Sequence, residues 1–167
     1  AQSILTADSP VKAHQDSVCT IVITLKDRFQ NPIPNKQVRL TVRGGDRNFI
    51  QQPVNLTSAL GTTEGSLISL SAGEKTIGVI VDSKQLALNT VAIFTATEAA
   101  LIQKPAASGD NQRGNVGTVL PEPLIVKVTD QNGNAIMAFK PVTFSAISAG
   151  TQIIEPQPVV SDSNGLA

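Results

Sequence analysis

From residue 18 to 26 the chain reads VCTIVITLK, in which Cys19, Ile21, Ile23 and Leu25 alternate with Thr20, Val22 and Thr24. A period of two is that of an extended strand with one apolar face, and it predicts that Cys19 points inward. KQVRLTVR (36–43) repeats the pattern with Val38, Leu40 and Val42 opposite Arg39, Thr41 and Arg43. That is a half-solvated antiparallel strand whose arginines face water. Further strands are predicted at 3–7, 65–71, 75–82 and 90–97, with a weaker one at 48–52. Gly, Pro, Asn and Asp lie between the runs and no apolar repeat has helical period. The expectation is an all-β immunoglobulin-like β-sandwich.

Past this strand set, 98–117 (EAALIQKPAASGDNQRGNVG) is small and polar, the composition of a connecting segment, and the pattern then restarts. PLIVKVTDQNGNAIMAFKPVTFSA repeats IVITLKDRFQNPIPNKQVRLTV, with Asp130 on Asp27, Asn134 on Asn31 and Ile136 on Ile33 at an offset of 103. One further residue in the later copy then sets Val142 on Val38 and Gly165 on Gly61 at 104. A period near 100 residues indicates tandem domains and not a solenoid. The expected organisation is a complete sandwich over 1–100, a linker and first strand region over 101–117, and a partial second sandwich over 118–167. The second is expected to be incomplete at its C-terminal end, because the first continues past Gly61 through two or three more strands.

Charge narrows the functional classes. Lys plus Arg and Asp plus Glu each number 13, so no net field favours nucleic acid or an anionic membrane. Trp and Tyr are absent and Phe numbers 5, which leaves no stacking platform for bases or sugar rings. The single Cys19 excludes a disulfide framework within the chain. AQSILTADSP at the start does not read as a signal peptide, and no apolar run is long enough to span a bilayer as a helix. A soluble fragment or a mature piece of something longer is expected.

Candidate chemistry is sparse. Asp130, Asn132 and Asn134 alternate as the first, third and fifth ligands of a calcium loop would, but Ala135 stands where Gly is needed and Pro141 where a bidentate Glu is needed. The equivalent loop in the first copy, DRFQN, has Phe29 at the third position. The stretch therefore reads as a turn, with Asn132-Gly133 a pair that tolerates positive φ. His14 and Cys19 could form a nucleophile and base, yet Cys19 is in phase with an apolar strand face and His14 is not, so an inert buried thiol is expected. Carboxylates are scattered singly, no Gly-x-Ser-x-Gly occurs, and the glycine-rich 44–48 and 108–117 lack the Lys and the strand-to-helix setting of a phosphate loop. Asn55-Leu56-Thr57 fits a glycosylation acceptor, relevant only in a eukaryotic secretory host. No catalytic residue, metal or cofactor is predicted.

VITLKDRFQNPIPNKQV, TSALGTTEGSLISLSAG and VAIFTA in the first copy, with IVKVTDQNGNAIMAFKPVTFSA and VVSDSNGLA in the second, resemble the bacterial immunoglobulin-like domains of group 1. Those domains form the extracellular rods of intimin and invasin. Where the family usually has an Asp-x-x-Gly turn, the first copy has TSALG, so that turn is expected to be built differently. The resemblance implies a non-catalytic spacer in a bacterial surface or secreted protein, partnered by neighbouring modules of its own polypeptide. An open edge in the second module invites strand pairing with another chain. The rival reading is a ligand- or carbohydrate-binding accessory module of a secreted protein or hydrolase, which needs exposed aromatics on loops, and Phe29, Phe49 and Phe139 are the available ones. Neither nucleic acid binding nor membrane insertion is expected.

Overall fold

The computed structural model describes residues 2–137 and 139–167. They divide into two compact units, Ala1–Thr95 and Ala96–Ala167.

In the first unit the predicted alternation becomes two facing sheets. β1 (Ile4–Ala7), β3 (Cys19–Thr24), β6 (Thr62–Ser69) and β5 (Asn48–Gln51) lie in the order β1-β3-β6-β5. β2 (Val11–Lys12), β8 (Lys84–Thr95), β7 (Gly73–Val81) and β4 (Val38–Arg43) lie in the order β2-β8-β7-β4. Neighbours are antiparallel except β2 and β8, which run parallel. Two sheets connected in this order have the topology of an immunoglobulin constant-type domain. Among the described residues there is no helix.

The core lies between the sheets. Cys19, Ile21, Ile23 and Leu67 from one sheet meet Leu40, Ile77, Val79 and Phe94 from the other, each at most 2% exposed. Each such aliphatic or aromatic side chain contributes about 1.5–3 kcal/mol by leaving water. Arg39 and Arg43 on β4 face solvent as their phase requires.

Two strands depart from the sequence expectation. β2 has only two residues and so carries no readable period; it is held by its pairing, Val11 opposite Phe94 and Lys12 opposite Thr95. β8 begins at Lys84, six residues before the predicted start, because the two-residue turn Asp82-Ser83 joins it directly to β7. Both turn residues have positive φ, 44° and 68°, the geometry that matches the twist of a hairpin.

In the second unit the described strands are short. β9 (Leu101–Gln103) pairs antiparallel with β10 (Lys127–Thr129), and β11 (Pro141–Val142) with β12 (Val159–Val160). Single bridges add Leu166 beside Lys127 and Ala135 beside Thr129. Val128, Ile136 and Val142 form its core, with Ala96, Val126, Phe144 and Ala167 packed against them. β9 falls in the stretch expected to hold the linker and first strand. From there to β10 the chain forms a loop of this unit, where Ile125 N donates to Ser108 O and the Gln112 side chain spans to Glu122.

Candidate functional site

The most distinctive local structure is a set of side-chain-organised turns that occurs once in each unit. At Asp27 the backbone N donates to Asn31 O, while Gln30 N donates to Asp27 O. The Asp27 carboxylate closes the loop, Oδ1 taking Phe29 N and Asn31 N and Oδ2 taking Asn31 Nδ2 at 3.1 Å. At Asp130 each bond recurs. Asp130 N donates to Asn134 O and Gly133 N to Asp130 O. Oδ1 takes Asn132 N and Asn134 N, both at 2.9 Å, and Oδ2 takes Asn134 Nδ2 at 2.9 Å. Asp and Asn favour such loops because their short side chains reach backbone amides two and four residues on.

A second turn repeats beside it. Ser58 N donates to Thr62 O and Gly61 N to Ser58 O, with Ser58 Oγ accepting Leu60 N and Thr62 N. Asp162 does the same for Leu166, Gly165 and Asn164. The TSALG turn is thus built as the Asp-x-x-Gly turn is, with a serine hydroxyl in place of the carboxylate. The two turns interlock: Leu25 N donates to Gly61 O and Ile33 N to Leu25 O, as Val128 N does to Gly165 O and Ile136 N to Val128 O.

A third contact joins the start of the next strand. Lys36 N donates to Thr57 Oγ1 at 2.9 Å, and Thr57 N to Lys36 O. In the second unit Lys140 N donates to Ser161 Oγ at 2.9 Å, and Ser161 N to Lys140 O. Glutamine side chains complete the set, Gln52 Oε1 taking Leu40 N and Gln157 Oε1 taking Phe144 N.

For the three calcium candidates the geometry is that of this turn. Asp130 is fully buried, Asn134 nearly so and Asn132 half-buried. Both Asp130 oxygens already accept hydrogen bonds, including two from Thr97, N at 3.1 Å and Oγ1 at 3.3 Å. Burial pushes the Asp130 carboxyl up, but the bonds from Asn134, Thr97 and Asn132 outweigh it and hold it below the ordinary carboxylate value. Of the Asn132-Gly133 pair only Gly133 takes positive φ, 83°; Gln30 holds the same place in the first unit at 72°. No group of three His, Cys, Asp or Glu among the described residues is arranged to hold a metal.

Cys19 is fully buried, its Sγ 3.0 Å from Asp8 O, and burial, with the charge of Asp8, pushes the thiol up to about 11. His14 lies with Asp16, 3.5 Å from its carboxylate. The structure does not bring His14 and Cys19 together in any hydrogen bond. Phe29 is exposed with the Arg28 guanidinium 4.5 Å from its ring centroid, and Phe49 and Phe139 are also exposed.

Lys75 is a residue that sequence reasoning missed. It stands in β7 in phase with Ile77 and Val79, is 1% exposed, and donates to Ser71 Oγ at 3.1 Å. Its phase was the available signal. Burial lowers its pKa.

On the outer face of β3 and β6 an open groove of about 730 Å³ is lined by Thr20, Val22, Glu64 and Ser66 and by the segment after β5, including Gln52, Val54 and Leu56. Its walls carry hydroxyls, amides and aliphatic groups. A smaller cleft of about 310 Å³ in the second unit is lined by Ile102, Leu124, Val126 and Phe144 among others.

A two-sheet sandwich with this strand order, a core between the sheets and a turn system recurring in the following unit defines an immunoglobulin-like module. The family model of the bacterial Ig-like domain (group 1) matches residues 1–95, and the chain belongs to that family. No curated protein sequence matches the chain. Among solved structures, invasin, a bacterial integrin-binding protein, is similar with a TM-score of 0.57 and 22% identity, over 86% of this chain and 29% of that one. InvD of Yersinia pseudotuberculosis is similar with a TM-score of 0.55 and 20% identity, over 81% and 43%. The Escherichia coli adhesin FdeC is similar with a TM-score of 0.54 and 18% identity, over 83% and 44%. At these identities the likeness establishes the fold, and the chain spans less than half the length of each of the three. No helix among the described residues is long and apolar enough to cross a membrane.

Proposed function

We propose that these residues are non-catalytic spacer modules of a larger bacterial cell-surface or secreted protein, serving as part of an adhesin-type stalk. The observation that carries this reading is the recurrence of the turn system at Asp27, Gly61 and Thr57, with its backbone bonds and the hydroxyl acceptor for the next strand, in the turn system at Asp130, Gly165 and Ser161. A stalk needs stable cores, polar outer faces and repeated modules, and it needs no reacting group. Membership of the bacterial Ig-like family and the fold shared with invasin and FdeC support it. The neighbouring modules of the same polypeptide are its proposed partners, outside the cell or at its surface.

Small-angle scattering of the 167-residue chain tests the spacer role. One narrow family of elongated conformers is expected; a freely hinged profile overturns the reading.

The cleft in the second unit supports a further partner, a strand from another chain. Phe144 is the counterpart of Leu40, which in the first unit is paired with Val79 of β7 and is 2% exposed. Phe144 instead lines the cleft beside the exposed Leu124. A concentration-dependent dimer in light scattering is expected, and a strictly monomeric chain at high concentration removes this part.

The ligand-binding alternative draws on the groove over β3 and β6, whose hydroxyls and amides suit a polar ligand. Saturable binding on a glycan panel, lost in Glu64→Ala, would favour it over the spacer reading.

A further inference from the structure

β4 is the outer strand of its sheet, with β7 on one side and, among the described residues, no strand on the other. In a regular antiparallel strand the backbone groups of successive residues point to opposite sides. Those of Leu40 point away from β7, where one side chain meets both. Gln52 Oε1 accepts Leu40 N at 2.7 Å, and Gln52 Nε2 donates to Leu40 O at 2.9 Å. An acceptor and a donor on one residue are what an adjoining strand would offer Leu40, so the amide of Gln52 stands in for that strand.

The segment that carries Gln52 runs along this edge. Lys36, four residues before Leu40, is met in the same way by Thr57, whose Oγ1 accepts Lys36 N and whose N donates to Lys36 O. Between these anchors lies Pro53, which has no N–H and cannot extend a ladder. A Cβ at Gly65 would stand 2.7 Å from Leu40 Cδ1 and 3.1 Å from Pro53 Cδ, so the bare backbone of Gly65 gives both residues their room. The second unit repeats the device: Gln52-Pro53-Val54 recurs as Gln157-Pro158-Val159, and Gln157 Oε1 accepts Phe144 N at 2.8 Å. There Nε2 turns instead to Glu155 O at 3.3 Å, and Val159 pairs with Val142 as β12 with β11.

A strand edge with unpaired N–H and C=O groups is a template for another chain. Repeated modules meet this hazard most often, because they present copies of one edge at high local concentration. We propose that Gln52 is an edge guard, whose side chain occupies the outer edge of β4 and excludes the β4 strand of a second copy of this chain. Two such edges running antiparallel are self-complementary, the isologous contact of a two-fold dimer. The guard stands on its own geometry; the hazard it answers, like modules in a row, rests on the spacer reading.

Sedimentation velocity over a concentration series, with amide hydrogen exchange on the whole chain, tests it in wild type, Q52A, Q52M and Q85A. Gln85 also binds backbone, donating to Val79 O at 3.0 Å, but between β7 and β8 and not at an outer edge, so Q85A controls for lost stability. In wild type the Leu40 amide is expected to be protected at every concentration. In dilute Q52A it is expected to exchange about tenfold faster, the factor for one lost hydrogen bond. In concentrated Q52A a dimer is expected, with protection restored at Leu40. Q85A should match wild type at Leu40 and in association. Should Q52A fail to fold, Q52M decides, since it keeps the length of the side chain and removes only the amide. Association of the Gln52 variants no stronger than that of wild type, equal association of Q85A, or a new dimer that protects the second unit and not Leu40 overturns the guard. Dimers of Q52A protected at Leu40 together with freely hinged scattering overturn the spacer reading and leave the guard standing.

Discussion

Gly61 and Gly165 occupy the same place in their units: a Cβ at Gly61 would stand 2.4 Å from Leu25 O, and a Cβ at Gly165 would stand 2.5 Å from Val128 O. Both have positive φ, 73° and 75°. The two turns can interlock only where no side chain intervenes. Alanine at either position combines left-handed strain with a clash against backbone, and G61A and G165A are each expected to cost about 2 kcal/mol or more. Gly73 and Gly133 have positive φ with open space around the Cβ position, so G73A and G133A carry the conformational cost alone and should be milder. Urea unfolding followed separately for each unit checks the order, which fails if the four substitutions cost the same.

Thr57 is buried and uses its hydroxyl twice, accepting from Lys36 N and donating to Ile33 O at 2.8 Å. T57V preserves shape and leaves both backbone groups unmet, at about 1–3 kcal/mol. T57S should recover most of that loss. Ser161→Ala is expected to weaken the second unit through Lys140 N alone, and so by less than T57V weakens the first.

Lys75 keeps an ammonium within the sandwich on one hydrogen bond to Ser71. Lys75→Met matches its length and removes the desolvated charge, and a gain of about 1 kcal/mol at neutral pH is expected. The pH dependence has a definite sign. With the folded pKa below the ordinary 10.5, the unfolded chain binds the proton more tightly, so this residue's penalty shrinks as pH rises from the folded value towards 10.5. The advantage of K75M over wild type should narrow across that window in chemical denaturation; an advantage independent of pH argues against a buried ammonium.

Asp130 has the opposite dependence. Its folded pKa is below the usual 3.8, so its stabilisation is complete above that value and is lost as pH falls through the folded pKa. The stability difference between wild type and D130N, measured for the second unit, should be constant near neutrality and shrink below pH 3.8. A difference that persists unchanged into strong acid would mean that the carboxylate charge has no part in holding the turn.

Much of this was legible in the chain. The period-two runs located the strands of the first sandwich, and the phase of VCTIVITLK placed Cys19 inside. The spacing of Asp27, Asn31 and Gly61 against Asp130, Asn134 and Gly165 exposes the internal repeat in the sequence itself, because side-chain-closed turns require particular residues at particular offsets. Local chemistry of that kind is written in sequence.

What only the tertiary structure decided depends on partners distant along the chain. β2 exists through β8, which lies more than 80 residues away, and two residues have no periodicity of their own. Lys75 is buried in phase with the core residues Ile77 and Val79 that follow it in β7, although its own type predicts exposure. Asp130 is fully buried and takes two of its hydrogen bonds from Thr97, 33 residues upstream, a partner that no local pattern names. Alternation and turn chemistry act over a few residues and can be read from one segment, whereas the state of a buried charge is set by whichever donors the whole fold delivers to it.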